Sequence, residues 1–268
     1  DAEFAEPADI AADPLGNLYI ADRANNRIRK LTPAAVVPPA PVEVFAISNA
    51  ASMMPSPVVP GALMTIFGAG IGPEAPVHGG LETKLASFEV LFDGEPAPLL
   101  YAQSSQINLQ APYSVTGRDQ VKIEIREAGE SKLTILAPVA AAGPAVFTVA
   151  GGKGTVVAID RDNAYNSALN PAPSGTILTF WATGEGQTTP AGITGRLAGD
   201  LLPSPVLPVT LKIGGLPAEI LYAGAAPGFA GLMQVNASVP DALPPGTHSL
   251  ELTVGGVSSQ PGVTVVTR

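Results

Sequence analysis

The chain contains no cysteine, which removes disulfides, thiolate metal sites and a cysteine nucleophile together. Positive charge is scarce: Lys and Arg total 14 against 23 Asp and Glu, for a net charge of -9. Phosphate binding draws its affinity from clustered Lys and Arg, so nucleic acid is excluded as a partner. Only two histidines occur, His78 and His248, and neither has an acid at triad or zinc-ligand spacing. The longest apolar stretch, Leu133 to Ala150, is broken by Pro138, Gly143 and Pro144. It therefore falls short of the ~20 uninterrupted residues of a membrane-spanning helix.

What is abundant is turn chemistry. Gly (29) and Pro (28) punctuate a sequence that is 46% hydrophobic and 268 residues long, enough for two ordinary cores but with no room for long helices. An all-β chain is expected. The start at Asp1, without an initiator Met or an apolar leader, fits a processed secreted protein.

The strongest internal signal is a duplication. Gly61-Ala62-Leu63-Met64-Thr65-Ile66-Phe67, with Gly70 and Gly72 following, matches Gly175-Thr176-Ile177-Leu178-Thr179-Phe180-Trp181, with Gly184 and Gly186 following. Tyr101 then matches Tyr222, and Gln106, Asn108 and Pro112 match Gln234, Asn236 and Pro240, after seven extra residues in the second copy. Period-two alternation in Ser87–Phe92, Val121–Arg126, Val209–Ile213 and Ser249–Val254 predicts half-buried strands. Asp93-Gly94 and Gly214-Gly215 predict hairpin turns. These features predict two tandem immunoglobulin-like β-sandwiches, over residues 42–140 and 141–268.

The runs around Pro98-Leu99-Leu100-Tyr101-Ala102, Gln106-Ile107-Asn108, Leu221-Tyr222-Ala223-Gly224, Gln234-Val235-Asn236 and Val254-Gly255-Gly256-Val257-Ser258-Ser259 resemble the Solibacter-type C-terminal domain. That family is common at the ends of large secreted acidobacterial proteins, and each half also resembles the IPT/TIG immunoglobulin-like domains. The resemblance implies a secreted, extracellular or cell-surface bacterial protein and brings no catalytic residues with it. Pro7 to Asp13, Gly16 to Asp22 and Asn26 to Leu31 are similar to a single NHL propeller repeat, placing a β-blade or donor arm at residues 1–32. Propellers usually need ~4 to 8 blades, so this one must find another partner. Residues 33–41 carry four prolines and predict a semi-rigid linker spanning at most about 30 Å.

Gly68, Gly70 and Gly72 follow a strand but open no helix, so they read as a turn and not a phosphate loop. No catalytic or cofactor-binding residue is predicted, and the chain is expected not to be an enzyme. Asp160, Asp162, Asn163 and Asn166 share a loop whose one admissible metal is calcium, through Asp160, Asp162 and Asn163; without EF-hand spacing, turn chemistry is preferred. The remaining acids read as solvated. Phe67 and Trp181, and likewise Tyr101 and Tyr222, are expected to be shared core or inter-sheet anchors and not a sugar platform, with Phe67→Ala costing about 3 to 5 kcal/mol.

The sequence thus predicts a non-catalytic structural or adhesive protein, with a carbohydrate-binding or accessory module of a larger secreted protein as the alternative and surface glycans as that alternative's partner. An orphan blade is marginal alone in water. Self-assembly into a homo-oligomer or head-to-tail filament is expected through Phe4, Ile10, Leu18, Tyr19, Ile20, Ile28 and Leu31, by strand donation to a neighbour's open sheet edge.

Overall fold

The computed structural model describes residues 4–32 and 41–268; the proline-rich linker predicted at 33–41 lies outside them except for Pro41. The chain divides into two compact units, Asp1–Ala40 and Pro41–Arg268. It is all-β, and among the described residues the helical segments are two single 3-10 turns.

The first unit is an antiparallel sheet of three strands, β1 (Pro7–Ala12), β2 (Leu18–Asp22) and β3 (Arg27–Leu31), in that order. Its turns are fixed by short acids. The Asp13 carboxylate accepts from the N–H groups of Leu15 and Asn17, both at 2.9 Å, and from the Asn17 amide at 2.7 Å. Asp22 is fully buried and accepts from Ala5 N–H, the Asn25 amide and Arg29 Nε. Burial alone would raise its pKa, but these donors outweigh it and hold the carboxyl at about 2.

The second unit contains two sandwiches. In the first, β4 (Glu43–Asn49), β5 (Leu63–Ala69), β8 (Gln106–Gln110) and β7 (Leu99–Gln103) form one sheet in the order β4-β5-β8-β7. Strands β10 (Glu130–Pro138), β9 (Gln120–Glu127) and β6 (Phe88–Phe92) form the other. The second sandwich repeats this order, with β11 (Ile177–Thr183), β14 (Met233–Ser238) and β13 (Ile220–Ala225) facing β16 (Val263–Thr267), β15 (Gly246–Val254) and β12 (Val209–Ile213). Asp93-Gly94 and Gly214-Gly215 close their hairpins with positive φ at both positions, as the sequence predicted.

Each sandwich has its own core. Met64, Ile66, Val90, Phe92, Ile107 and Ile125 lie in the first, and Leu178, Phe180, Leu211, Ile213, Val235 and Leu252 take the matching places in the second. The edges of the second sandwich are finished by side-chain amides. Gln260 accepts from Val146 N–H at 2.9 Å and donates to its carbonyl at 2.6 Å, while Asn166 does the same for Val266 at 2.9 and 2.7 Å.

The expected burial of Phe67 and Trp181 needs correction. Their positions are equivalent, since Phe67 pairs with Gln106 and Trp181 with Gln234. Both are only half-buried, because successive strand residues alternate faces and the core face belongs to Ile66 and Phe180. Tyr101 and Tyr222 also lie half-buried on this outer face, each holding its hydroxyl locally, on Gln103 Oε1 at 2.6 Å and on the Ala225 carbonyl at 2.7 Å. Neither is a core anchor. Denaturant titration should separate the two faces: Phe180→Ala should cost about 3 to 5 kcal/mol, and Phe67→Ala and Trp181→Ala each under about 2 kcal/mol.

Candidate functional site

The two copies differ most where the second is longer. Between β7 and β8 only Ser104 and Ser105 intervene, whereas Ala226 to Leu232 join β13 to β14. The connection from β11 to β12 is likewise longer than that from β5 to β6, and it carries the residues from Gly184 to Pro208. These two elongated loops meet. Ala198 N–H donates to the Phe229 carbonyl at 2.9 Å, Gly228 N–H to the Ala198 carbonyl at 2.7 Å, and Ala225 N–H to the Pro203 carbonyl at 2.8 Å.

The loops are also tied to the first sandwich. Buried Gln110 donates to the Gly61 carbonyl at 3.1 Å and accepts from Gly195 N–H at 2.8 Å, and Tyr113 N–H donates to Thr194 Oγ1 at 3.1 Å. The Tyr113 ring lies against Gly61 and Gly192, where any side chain would collide with it. At the centre, fully buried Thr183 accepts from Leu63 N–H at 2.8 Å and donates to the Gly231 carbonyl at 2.7 Å.

These ties enclose a cavity of about 320 Å³ between the sandwiches. Gln110 and Tyr113 reach it from the first sandwich, Glu185 from the end of β11, and Ile193, Leu197 and Phe229 from the elongated loops. Glu185 is 4% exposed. It is held there by Gly184 and Gly186, both at positive φ and both so close to the backbone of Ala141 and Gly143 that a Cβ would clash. Desolvation pushes its carboxyl up to about 7, against the opposing pull of the N–H groups of Glu185 itself and Gly184. The Tyr113 phenol is raised by its own burial and, secondarily, by the charge of Glu185. Glu185 Oε2 and Thr65 Oγ1 are, among the described residues, the buried side-chain polar atoms without a partner.

Sequence reading placed Gly184 and Gly186 correctly as turn glycines but left the acid between them among the solvated ones. Glu185 is buried instead, where Ala141 and Gly143 close against its flanking glycines and Gln110 and Tyr113 of the first sandwich line the same cavity. The seven extra residues before Gln234 were the one signal that pointed here.

The other predicted positions fall elsewhere. The Asp160 carboxylate is engaged by its own loop, accepting from the N–H groups of Asp162 and Ala164 at 2.9 and 3.0 Å and from the Asn170 amide at 3.2 Å. Asn163 takes a left-handed turn conformation, and the Asn166 amide is occupied by Val266. Among the described residues no three His, Asp or Glu side chains converge as metal ligands. His78 packs edge-on to Tyr101, with centroids 5.2 Å apart, and His248 Nε2 lies 2.8 Å from the Pro244 carbonyl.

The seven proposed assembly residues divide between the two faces of the N-terminal sheet. Cross-strand rows Ile10–Ile20–Arg29 and Ala12–Leu18–Leu31 define one face, and rows containing Tyr19 with Lys30 and Ala21 with Ile28 define the other. Phe4 joins the first face through the Arg29 guanidinium, 5.4 Å from its ring centroid.

The raised Glu185 carboxyl has a thermodynamic consequence. The folded state keeps its proton up to about pH 7, whereas the unfolded chain releases it near 4.5, so stability should fall as pH rises across that interval and level off above it. Glu185→Gln should abolish this fall, which amounts to about 3 kcal/mol for wild type. Urea midpoints at pH 4.5 and 8 for both proteins would measure it.

Residues 4–31 match the NHL repeat family. No curated protein sequence matches the chain. Solved structures that align with the chain include the plexin A4 extracellular region, at 14% identity and a TM-score of 0.31 over 90% of this chain and 17% of that one. SGBP-B from a xyloglucan utilization locus of Bacteroides uniformis aligns at 13% identity and a TM-score of 0.24, over 83% of this chain and 49% of that one. The N-terminal Ig1-2 module of the Drosophila receptor protein tyrosine phosphatase DLAR aligns at 12% and 0.24, over 85% and 100%. The chain thus spans under a fifth of the plexin region. It is an all-β protein of several open sheets, with an NHL repeat ahead of immunoglobulin-like sandwiches.

Proposed function

We propose that this protein is a non-catalytic structural module of the bacterial cell surface or extracellular space that self-assembles through its N-terminal sheet. The observation that carries the reading is the exposure within that sheet: Ile10 is 58% and Ile28 73% exposed, on opposite faces, and the described residues of the unit form a single layer. A three-stranded sheet by itself is marginal in water, and among the described residues β1 and β3 each pair with a strand on one side only. A second copy of the chain supplies both edges and apolar faces. The resemblance of residues 42–268 to Solibacter-type domains supports an extracellular setting, and among the described residues no helix is long and apolar enough to cross a membrane.

A second reading, glycan binding, is favoured by the duplicated outer face. There the Gln106 and Gln234 amides donate to Asn108 and Asn236 at 2.8 and 3.0 Å, beside half-exposed Tyr101 and Tyr222. Such amide and aromatic surfaces suit sugar hydroxyls and pyranose faces.

Sedimentation velocity over a concentration series tests the assembly reading in the intact chain. Wild type should form larger species as concentration rises, and Ile10→Glu and Ile28→Glu should each return the protein to monomer without changing its melting transition for the two sandwiches. A wild-type chain that stays monomeric throughout would overturn it. A glycan array in which wild type binds and Trp181→Ala does not would favour the second reading.

A further inference from the structure

We propose that the cavity between the two sandwiches is a binding site for a primary ammonium group carried on a small apolar body, with Glu185 as its counter-ion. Three independent features of the cavity point to this occupant. The first is the acceptor. Glu185 is buried, lines the cavity, and has one carboxylate oxygen with no donor, while among the described residues no ion pair reaches it. A buried carboxylate left in that state is costly, and what relieves it is a donor that also brings positive charge. A hydroxyl would fill the hydrogen bond and leave the charge uncompensated; an ammonium supplies both.

The second feature is the mouth. Ile193, Leu197, Leu201 and Phe229 line the cavity and are each more than half exposed, the first, second and last at 55% and Leu201 at 64%. Large apolar side chains gathered around an opening favour an apolar body behind the charged group. The third is rigidity. Two of the polar neighbours are already engaged, both ends of the Gln110 amide and the Thr188 hydroxyl, which donates to the Pro190 carbonyl at 2.9 Å, and the elongated loops are pinned to each other and to the first sandwich. A site whose polar groups are fixed in place loses little freedom on binding.

The other charged or titratable side chains around the cavity are Tyr113 from the first sandwich and the exposed Arg196 and Asp200 from the long connection. Arg196 stands at the surface, so it does not neutralise Glu185 at depth. The volume, about 320 Å³, suits one aromatic ring or a short alkyl chain with its amine. The same chemistry is offered by a free small amine and by a lysine side chain of a partner polypeptide.

Isothermal titration calorimetry on the intact chain distinguishes these. Phenethylamine should bind saturably at pH 8, at least tenfold tighter than phenethyl alcohol, and should weaken toward pH 5 as Glu185 takes up its proton. Glu185→Gln should remove the preference for the amine while leaving the alcohol within twofold. Leu197→Trp, on the exposed loop, should block both ligands with the fold intact, which guards against a carboxyl variant that perturbs the interface. Binding of a capped lysine peptide in place of phenethylamine, lost in Glu185→Gln, would support the site and assign it to a polypeptide partner. Equal affinity for amine and alcohol, no binding of any amine probe, or a preference that survives Glu185→Gln would overturn the proposal.

Discussion

The hydroxyl of Thr183 is the point on which the two sandwiches turn. It accepts from the backbone of β5 in one sandwich and donates to the loop before β14 in the other, at the last residue of β11 and with no exposure to solvent. A single oxygen serving as acceptor and donor across three chain segments leaves no slack: moving any one of them breaks a hydrogen bond worth ~0.5 to 1.5 kcal/mol net. Asn49, which donates to the Gly143 carbonyl at 3.0 Å, and Gly143 N–H, which donates to the Gly184 carbonyl at 2.9 Å, lock the neighbouring stretch. What would otherwise be two beads on a string becomes one body with a defined hollow at the seam.

That seam explains how a duplicated protein acquires something neither copy has alone. The shared parts, from β5 to β10 and from β11 to β16, repeat the same strand order and even the same Gln-to-Asn side-chain hydrogen bond. The largest differences between the copies lie in loops of unequal length, which a sandwich tolerates because loop closure costs grow slowly with length. The first copy contributes Gln110 from the end of β8 and Tyr113 from the turn that follows it, and the second contributes the acid and the apolar rim.

The fold was legible because its signals are local. Alternation, paired turn glycines and the repeat offset each report on a few neighbouring residues, and they agree. Facing was harder. The repeat identified Phe67 with Trp181 correctly, yet a match between copies says that two positions are equivalent, not which side of the sheet they occupy; the neighbouring Ile66 and Phe180 hold the core. The residues that repeat most visibly, Tyr101, Gln106 and Asn108 with their partners, fall on the outer face, so their recurrence is not a packing signature. Glu185 was illegible for a different reason: its flanking glycines pack against residues more than forty positions away, Ala141 and Gly143, and nothing in Gly-Glu-Gly distinguishes it from a solvated turn.

The amides of Gln260 and Asn166 bear on the hazard common to every open β-sandwich. An edge strand with free N–H and C=O groups is a template for any other strand, including one from a misfolded neighbour. In the second sandwich, Val146 and Val266 already have both groups occupied by a side chain that imitates a passing strand. An invading chain would have to evict a buried glutamine or asparagine before forming its first ladder bond. These two residues thereby occupy backbone groups that an added strand would need.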